Sequence, residues 1–242
     1  LADFDWRMAF IVPGVISIMI GVGYAQFVKR SQIEQLEAIA REKEMIGFAP
    51  GWKRALCALT LITAAGGFIF GTITFVIPRM FEVSLSEITV DVATTGMLAA
   101  LVFAVASFAQ LVTGRIVDRH QVRPILMTVA LGQPVFIGLM ALQTDYALFF
   151  ATLLALAFIF GQVPITDAVL SRYVPDEWRA KTLSFKFLLN LIIGALALLC
   201  ARYILGAGGG FGMVMAVTAG SAVMIVIGAL LLPTQAQGER LA

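Results

Sequence analysis

Runs of apolar residues, each about twenty long and parted by short polar connections, dominate the chain. A hydrocarbon core of about 30 Å takes roughly 20 helical residues to cross, because no water inside it can bond a bare backbone N–H or C=O. Seven segments meet that length: residues 8–27, 55–78, 92–114, 124–142, 146–170, 183–205 and 211–232. The pattern predicts an all-α membrane protein with seven transmembrane helices. One polar connection, residues 28–53, is much longer than the rest and parts one span from six. It holds Ser31 and Glu34 at capping-box spacing, with Ile33, Leu36 and Ile39 or Ala40 on one helical face. That predicts a short amphipathic linker helix at the membrane surface.

Composition agrees with this and narrows the classes. Sixty per cent of the residues are apolar and 13% are charged, where an ordinary soluble domain carries about 25% charged residues. The net charge of +2 carries no implication of nucleic acid, since the 17 Lys and Arg residues flank apolar spans and form no basic face. Their placement does fix orientation. Fourteen lie on one side, within Lys29 to Arg54, Arg115 to Arg123 and Arg172 to Lys186, together with Arg240; the other three are Arg7, Arg79 and Arg202. Cytoplasmic connections carry the excess, so the first helix enters from outside and the C-terminus ends in the cytoplasm of a cell-membrane protein. An external start without an initiating Met leads us to expect further helices upstream. Cys57 and Cys200 fall in apolar stretches and are expected to be small buried residues.

Between the third and fourth spans the chain reads Gly114-Arg-Ile-Val-Asp118-Arg119-His-Gln-Val-Arg123. This resembles the G-x-L-x-D-R-x-G-R-R/K signature of the major facilitator superfamily (MFS), with Gln121 in place of Gly and Val122 in place of a basic residue. In that family the signature recurs between the second and third helices of each six-helix half. Here it lies between the second and third of the six spans after the long connection. The segment from Arg172 to Lys181, with Pro175 and Arg179, is similar to the loop joining the family's tenth and eleventh helices.

The resemblance covers essentially the whole chain. It implies an external start and sixth helix over 1–27, a central cytoplasmic loop over 28–54, an MFS-type C-terminal bundle of six helices over 55–232, and a cytoplasmic tail over 233–242. Its functional implication is a gradient-driven carrier that exposes a small-molecule or ion substrate alternately to either side of the bilayer, between two halves. A chain with one half would transport nothing without the N-terminal half. By the family's logic Gly114 lets two helices approach closely, while Asp118, with Arg119 and Arg123, pairs across the cytoplasmic helix ends and latches one conformation.

The same architecture puts the first, fourth and fifth helices of the half (55–78, 146–170 and 183–205) around the substrate cavity. On the first, Thr60, Thr63, Gly67, Gly71 and Thr74 recur at steps of three or four. That small, partly polar stripe faces protein or water, although Gly67-x-x-x-Gly71 serves close packing equally well. Ser107, Gln110, Gly114 and Asp118 share a face of the second helix, and Gln162 and Thr166 lie a turn apart around Pro164, which can kink the fourth. Asp167 is the only carboxylate inside a predicted span. It is either a coupling carboxylate or a helix-end charge within reach of Arg172. Lys186 and Asn190 share a face with Gly194, Ala197 and Ala201; Lys186 suits an anionic substrate or surface phosphates. Arg79 and Arg202 read as membrane-edge anchors. Gly212, Ala216, Gly220 and Gly228 mark one face of the last span as tightly packed scaffold.

Other classes fit less well. A seven-helix receptor shares the helix count and topology, yet residues 211–232 contain no Lys for a retinal linkage. For an intramembrane enzyme the single histidine, His120, lies in a loop, away from any Ser or Cys within a span. Metal-ligand spacing and a Walker A loop are both missing from the sequence, so no cofactor is expected and the drive is a gradient.

Overall fold

The computed structural model describes residues 7–27, 47–85 and 91–233; the amphipathic segment at 31–40 and the tail from 234 onward lie outside them. Its helices are α1 (Met8–Phe27), α2 (Trp52–Ser84), α3 (Val92–Arg119), α4 (Val122–Met140), α5 (Asp145–Tyr173), α6 (Asp176–Gly206) and α7 (Phe211–Leu231). All seven are long and apolar enough to cross a bilayer, which makes the chain a multi-pass integral membrane protein.

Two compact units divide it, Leu1–Ile46 and Gly47–Ala242. The first contains α1, whose large side chains from Phe10 to Phe27 are exposed all round, as expected of a helix surrounded by lipid or other protein. The second contains α2 to α7. There α2, α5, α4 and α7 close a four-helix ring, each packed on the next, while α3 lies outside against α5 and α6 lies outside against α2. Exchanging α2 with α5, α3 with α6 and α4 with α7 maps this pattern onto itself. The bundle is thus two three-helix repeats. Because three is odd, the repeats run in opposite directions through the bilayer.

The spans follow the apolar pattern, but the helices overrun it. Expected and observed limits coincide for α1 and differ by one residue for α7, whereas α2 continues six residues past Pro78 and α6 begins seven residues before 183. Hydropathy marks the hydrocarbon, and a helix need not stop at its edge. The 33 residues of α2 make a rod of about 50 Å. Pro78 removes one N–H and so leaves the Thr74 carbonyl without its helical bond; the turns beyond continue, and Arg79 pairs there with Glu82 at 2.6 Å. Cys57 departs from expectation, since it is exposed, and Cys200 is only half-buried.

Helix ends are closed by side chains. Asp91 accepts a 2.6 Å bond from the Thr94 N–H at the start of α3. Hydrogen bonds from the Thr94 side chain and backbone hold its carboxyl below the usual carboxylate range. At the end of α7 the Leu231 carbonyl accepts from Arg54 Nε at 2.6 Å, and the Leu230 carbonyl accepts from Arg123 Nη2 at 3.5 Å. Two cations therefore sit on the negative end of that helix.

Orientation can be tested directly. In the full-length protein with Cys57 and Cys200 replaced, Gln121→Cys is expected to react with an impermeant maleimide only from the cytoplasm and Asp145→Cys only from outside. Reaction of both from one face would overturn the topology.

Candidate functional site

The expected cavity helices α2, α5 and α6 meet at Lys186. This residue enters from the third turn of α6, and its Nζ lies 2.5 Å from Asp167 Oδ1 and 2.9 Å from Thr166 Oγ1 on α5. The lysine side chain is 16% exposed and the aspartate 47%, so one charge is drawn into the protein while the other stays at its surface. Thr166 completes the cluster by donating to the Val163 carbonyl at 2.9 Å. A cavity of about 20 Å³ borders it, walled by Leu59, Thr60 and Thr63 of α2, Leu170 of α5, and Phe185 and Lys186 of α6. That is room for about one water.

The partner of Asp167 is a correction. A bond to Arg172, one turn away on the same helix, is replaced by an interhelical bond to Lys186. This matters because α5 and α6, though consecutive, scarcely pack on each other. Their described side-chain links are the Lys186 bonds and, near the connection, Arg179 Nη2 donating to the Ser171 carbonyl at 3.3 Å while also pairing with Asp176. Polar bonds take the place of apolar packing between them.

Close packing holds α6 to α2. A Cβ on Gly67 would stand 2.7 Å from the Asn190 carbonyl oxygen, and one on Gly71 would stand 2.6 Å from that of Gly194. Gly67 and Gly71 are therefore contact points for the α6 backbone, and of the two readings of the small, partly polar stripe its glycines take the packing one. Its threonines differ. Thr60 donates to the Leu56 carbonyl at 2.9 Å, as threonines inside lipid commonly do. Thr63 is buried beside the small cavity, and the buried hydroxyl of Thr74 has no partner among the described residues.

Gln162 faces the inside of the ring. It is buried, and its Oε1 accepts a 2.6 Å bond from Nε2 of Gln133 on α4, itself 1% exposed. The side chain ties α4 to α5 inside the ring, next to Gly66 of α2, where a Cβ would stand 3.2 Å from its Nε2. Unpaired amides in lipid are costly, and the pair satisfies both. Gln133 was missed in the sequence because α4 carried no expected role, although it is the one amide in that span.

The signature residues lie elsewhere. Asp118 and Arg119 are exposed on the last turn of α3, and neither side chain makes an ion pair or hydrogen bond among the described residues. Arg123, on the first turn of α4, reaches the end of α7. A Cβ on Gly114 would meet nothing within 4 Å, so the close helix approach expected there is absent from this bundle; on the α3–α5 contact that place is taken by Gly161, whose Cβ would stand 2.9 Å from Thr113 Oγ1. Gln110 on α3 and Asn190 on α6 are half-buried and not hydrogen-bonded to the Lys186 cluster. In α7 the expected packing holds at Gly212 and Gly228 but not at Gly220, which faces open space.

The comparisons with known proteins now decide the family. The model of the Major Facilitator Superfamily matches residues 80–241. The chain belongs to the major facilitator superfamily. That is a family of secondary transporters, not of receptors or enzymes. Among solved structures, the E. coli fucose:proton symporter FucP superposes with a TM-score of 0.60 at 17% identity, over 83% of this chain and 45% of the symporter. That likeness is one of fold, and the chain spans less than half of the symporter's length. No curated protein sequence matches significantly.

The α2–α6 crossing gives the test for this MFS bundle. Gly71→Val is expected to destabilise it by roughly 1–3 kcal/mol, since the added carbons meet backbone that cannot step aside. Gly114→Ala should be close to neutral. Unfolding of the two variants in detergent, followed by circular dichroism, checks both.

Proposed function

We propose that this chain is the C-terminal part of a twelve-helix, gradient-driven carrier for a small solute: sixth helix, central loop and C-terminal half. Its α2, α5 and α6 would line the path around the Lys186–Asp167 pair. The observation that carries the proposal is that pair, an ion pair joining two helices that otherwise scarcely touch. Ionisable groups at membrane depth are costly and mark substrate or ion pathways.

From the positions of Asp167 and Lys186 in their helices, the pair sits roughly 9–15 Å from the helix ends that meet at Val174 and Pro175. This is deep enough to be shielded from the inner aqueous phase and shallow enough to be reached from it. Protonation of Asp167, or an anionic solute taking its place beside Lys186, breaks the bond and lets α6 shift relative to α5. Transport also needs the N-terminal half, which closes the other side of the cavity. Asp118, exposed at the end of α3 and unpaired among the described residues, would meet that half when the cytoplasmic side closes, as the signature resemblance implies. The Lys and Arg distribution supports a cell-membrane location with the C-terminus in the cytoplasm.

Reconstituted full-length protein provides the test. Asp167→Asn and Lys186→Gln are each expected to lower solute accumulation by roughly tenfold or more, the worth of a charged hydrogen bond. Exchanging the two charges (Asp167→Lys with Lys186→Asp) should restore a measurable part. Accumulation at the wild-type level in both single variants would remove the pair from the mechanism. For the latch, Asp118→Asn should slow uptake while leaving membrane insertion intact; an unchanged rate would return Asp118 to ordinary surface charge.

A further inference from the structure

A larger cavity lies away from the Lys186 cluster. It measures about 560 Å³ and opens where α4 begins and where α5 and α7 end, with Arg123 and Gln121 on one wall, Arg172 and Tyr173 on another, and Leu230 and Leu232 on the third. No acidic side chain lines it among the described residues. Nothing in the carrier mechanism above uses it.

Three features give this cavity a preference for anions. Arg172 makes no hydrogen bond or ion pair among the described residues, so its guanidinium presents a planar fork of donors that fits a phosphate in two-pronged fashion. The first turn of α4 has no side-chain cap at Gln121, which leaves its leading N–H groups and the positive end of the helix dipole toward the opening. The carbonyls ending α7, which would repel an anion, are engaged: Leu231 by Arg54 and Leu230 by Arg123. The remaining wall is apolar, from Met127, Val169, Leu230 and Leu232, and the volume exceeds what a bare oxyanion fills.

We propose that this cavity is a binding site for a phosphate group, held by Arg172 with Arg123 as second donor, with room beside it for an apolar remainder. Two sources share that chemistry: the headgroup of an anionic phospholipid, which is concentrated at a cytoplasmic membrane face, and free phosphate. A bound anion would fasten the ends of α4, α5 and α7 together at a place where α5 and α7 have no direct contact.

The test uses full-length protein in nanodiscs of phosphatidylcholine alone or with phosphatidylglycerol added. Native mass spectrometry reads retained phosphatidylglycerol, and thermal unfolding in the phosphatidylcholine discs is followed with and without inorganic phosphate. Arg172→Gln is expected to weaken binding roughly tenfold or more. Arg202→Gln, which removes the same charge at the far end of α6, should leave it unchanged. Leu230→Trp, which fills the opening without changing charge, should also weaken it and guards against an Arg172 variant that fails to fold. Retention of phosphatidylglycerol that depends on Arg172 identifies the lipid; stabilisation by inorganic phosphate alone, with the same dependence, identifies the free anion. Binding of neither, or equal loss in Arg202→Gln, overturns the proposal.

Discussion

A backbone amide inside a bilayer has no water to bond to, and each unpaired one costs several kcal/mol. Every element of the bundle answers that demand. Helices satisfy their own interiors; what remains is their ends, their prolines and their few polar side chains. Arg54 and Arg123 close the carbonyl end of α7, and Asp91 closes the amide end of α3. Thr60, Thr72, Thr152 and Thr218 each return a hydroxyl to the carbonyl four residues back, and Gln133 and Gln162 pair with each other. Among the described residues, Lys186 and Asp167 make an ion pair between two of these helices, which is why they carry so much of the functional meaning.

The same solvent removes the hydrophobic drive for helix association, so close approach must supply the contact. At the α2–α6 crossing Gly67 and Gly71 let backbone meet backbone, and at the α3–α5 crossing Gly161 meets Thr113. These two crossings are equivalents under the exchange of the three-helix repeats. One difference between the repeats is chemical. The α5–α6 contact contains the Lys186–Asp167 bond, and among the described residues no ion pair joins the corresponding α2 and α3. A symmetrical scaffold thus holds an unsymmetrical joint.

Much of this was legible in the sequence. Apolar runs gave seven spans at nearly their true places, because lipid thickness dictates their length, and the spacing and position of Gly114 to Arg123 pointed to the family. Helix overruns at Pro78 and Asp176 were not legible, since hydropathy reports the hydrocarbon and not the hydrogen-bond ladder. Candidate residues divided by whether their partner was local. Thr166, Asp167 and Lys186 were each chosen singly, but that they form one cluster depends on how α5 and α6 face each other, which periodicity does not encode. Gln162 was chosen for its spacing from Thr166 around Pro164; its hydrogen-bond partner lay in a helix that offered a single amide. Gly114 was assigned by pattern, and among the described residues no neighbouring helix comes close to it.

That absence bears on how the proposed carrier would work. Along α6 only Ala197, Ala201 and Ile204 are buried, while Leu191, Leu196, Leu199 and Tyr203 are among its exposed residues, as are Met97, Phe108, Leu111 and Val112 on α3. These are the two outer helices, equivalents in the repeat, and each is held mainly from one side. An outer helix gripped on one face by glycine contacts can rock against the helix that grips it, without opening the ring of α2, α5, α4 and α7. On the proposed mechanism the ring is therefore the rigid body and α6 the mobile edge. The Lys186–Asp167 bond lies at the boundary between them, where a change of one charge alters the contact between α5 and α6 and leaves the packed ring as it was.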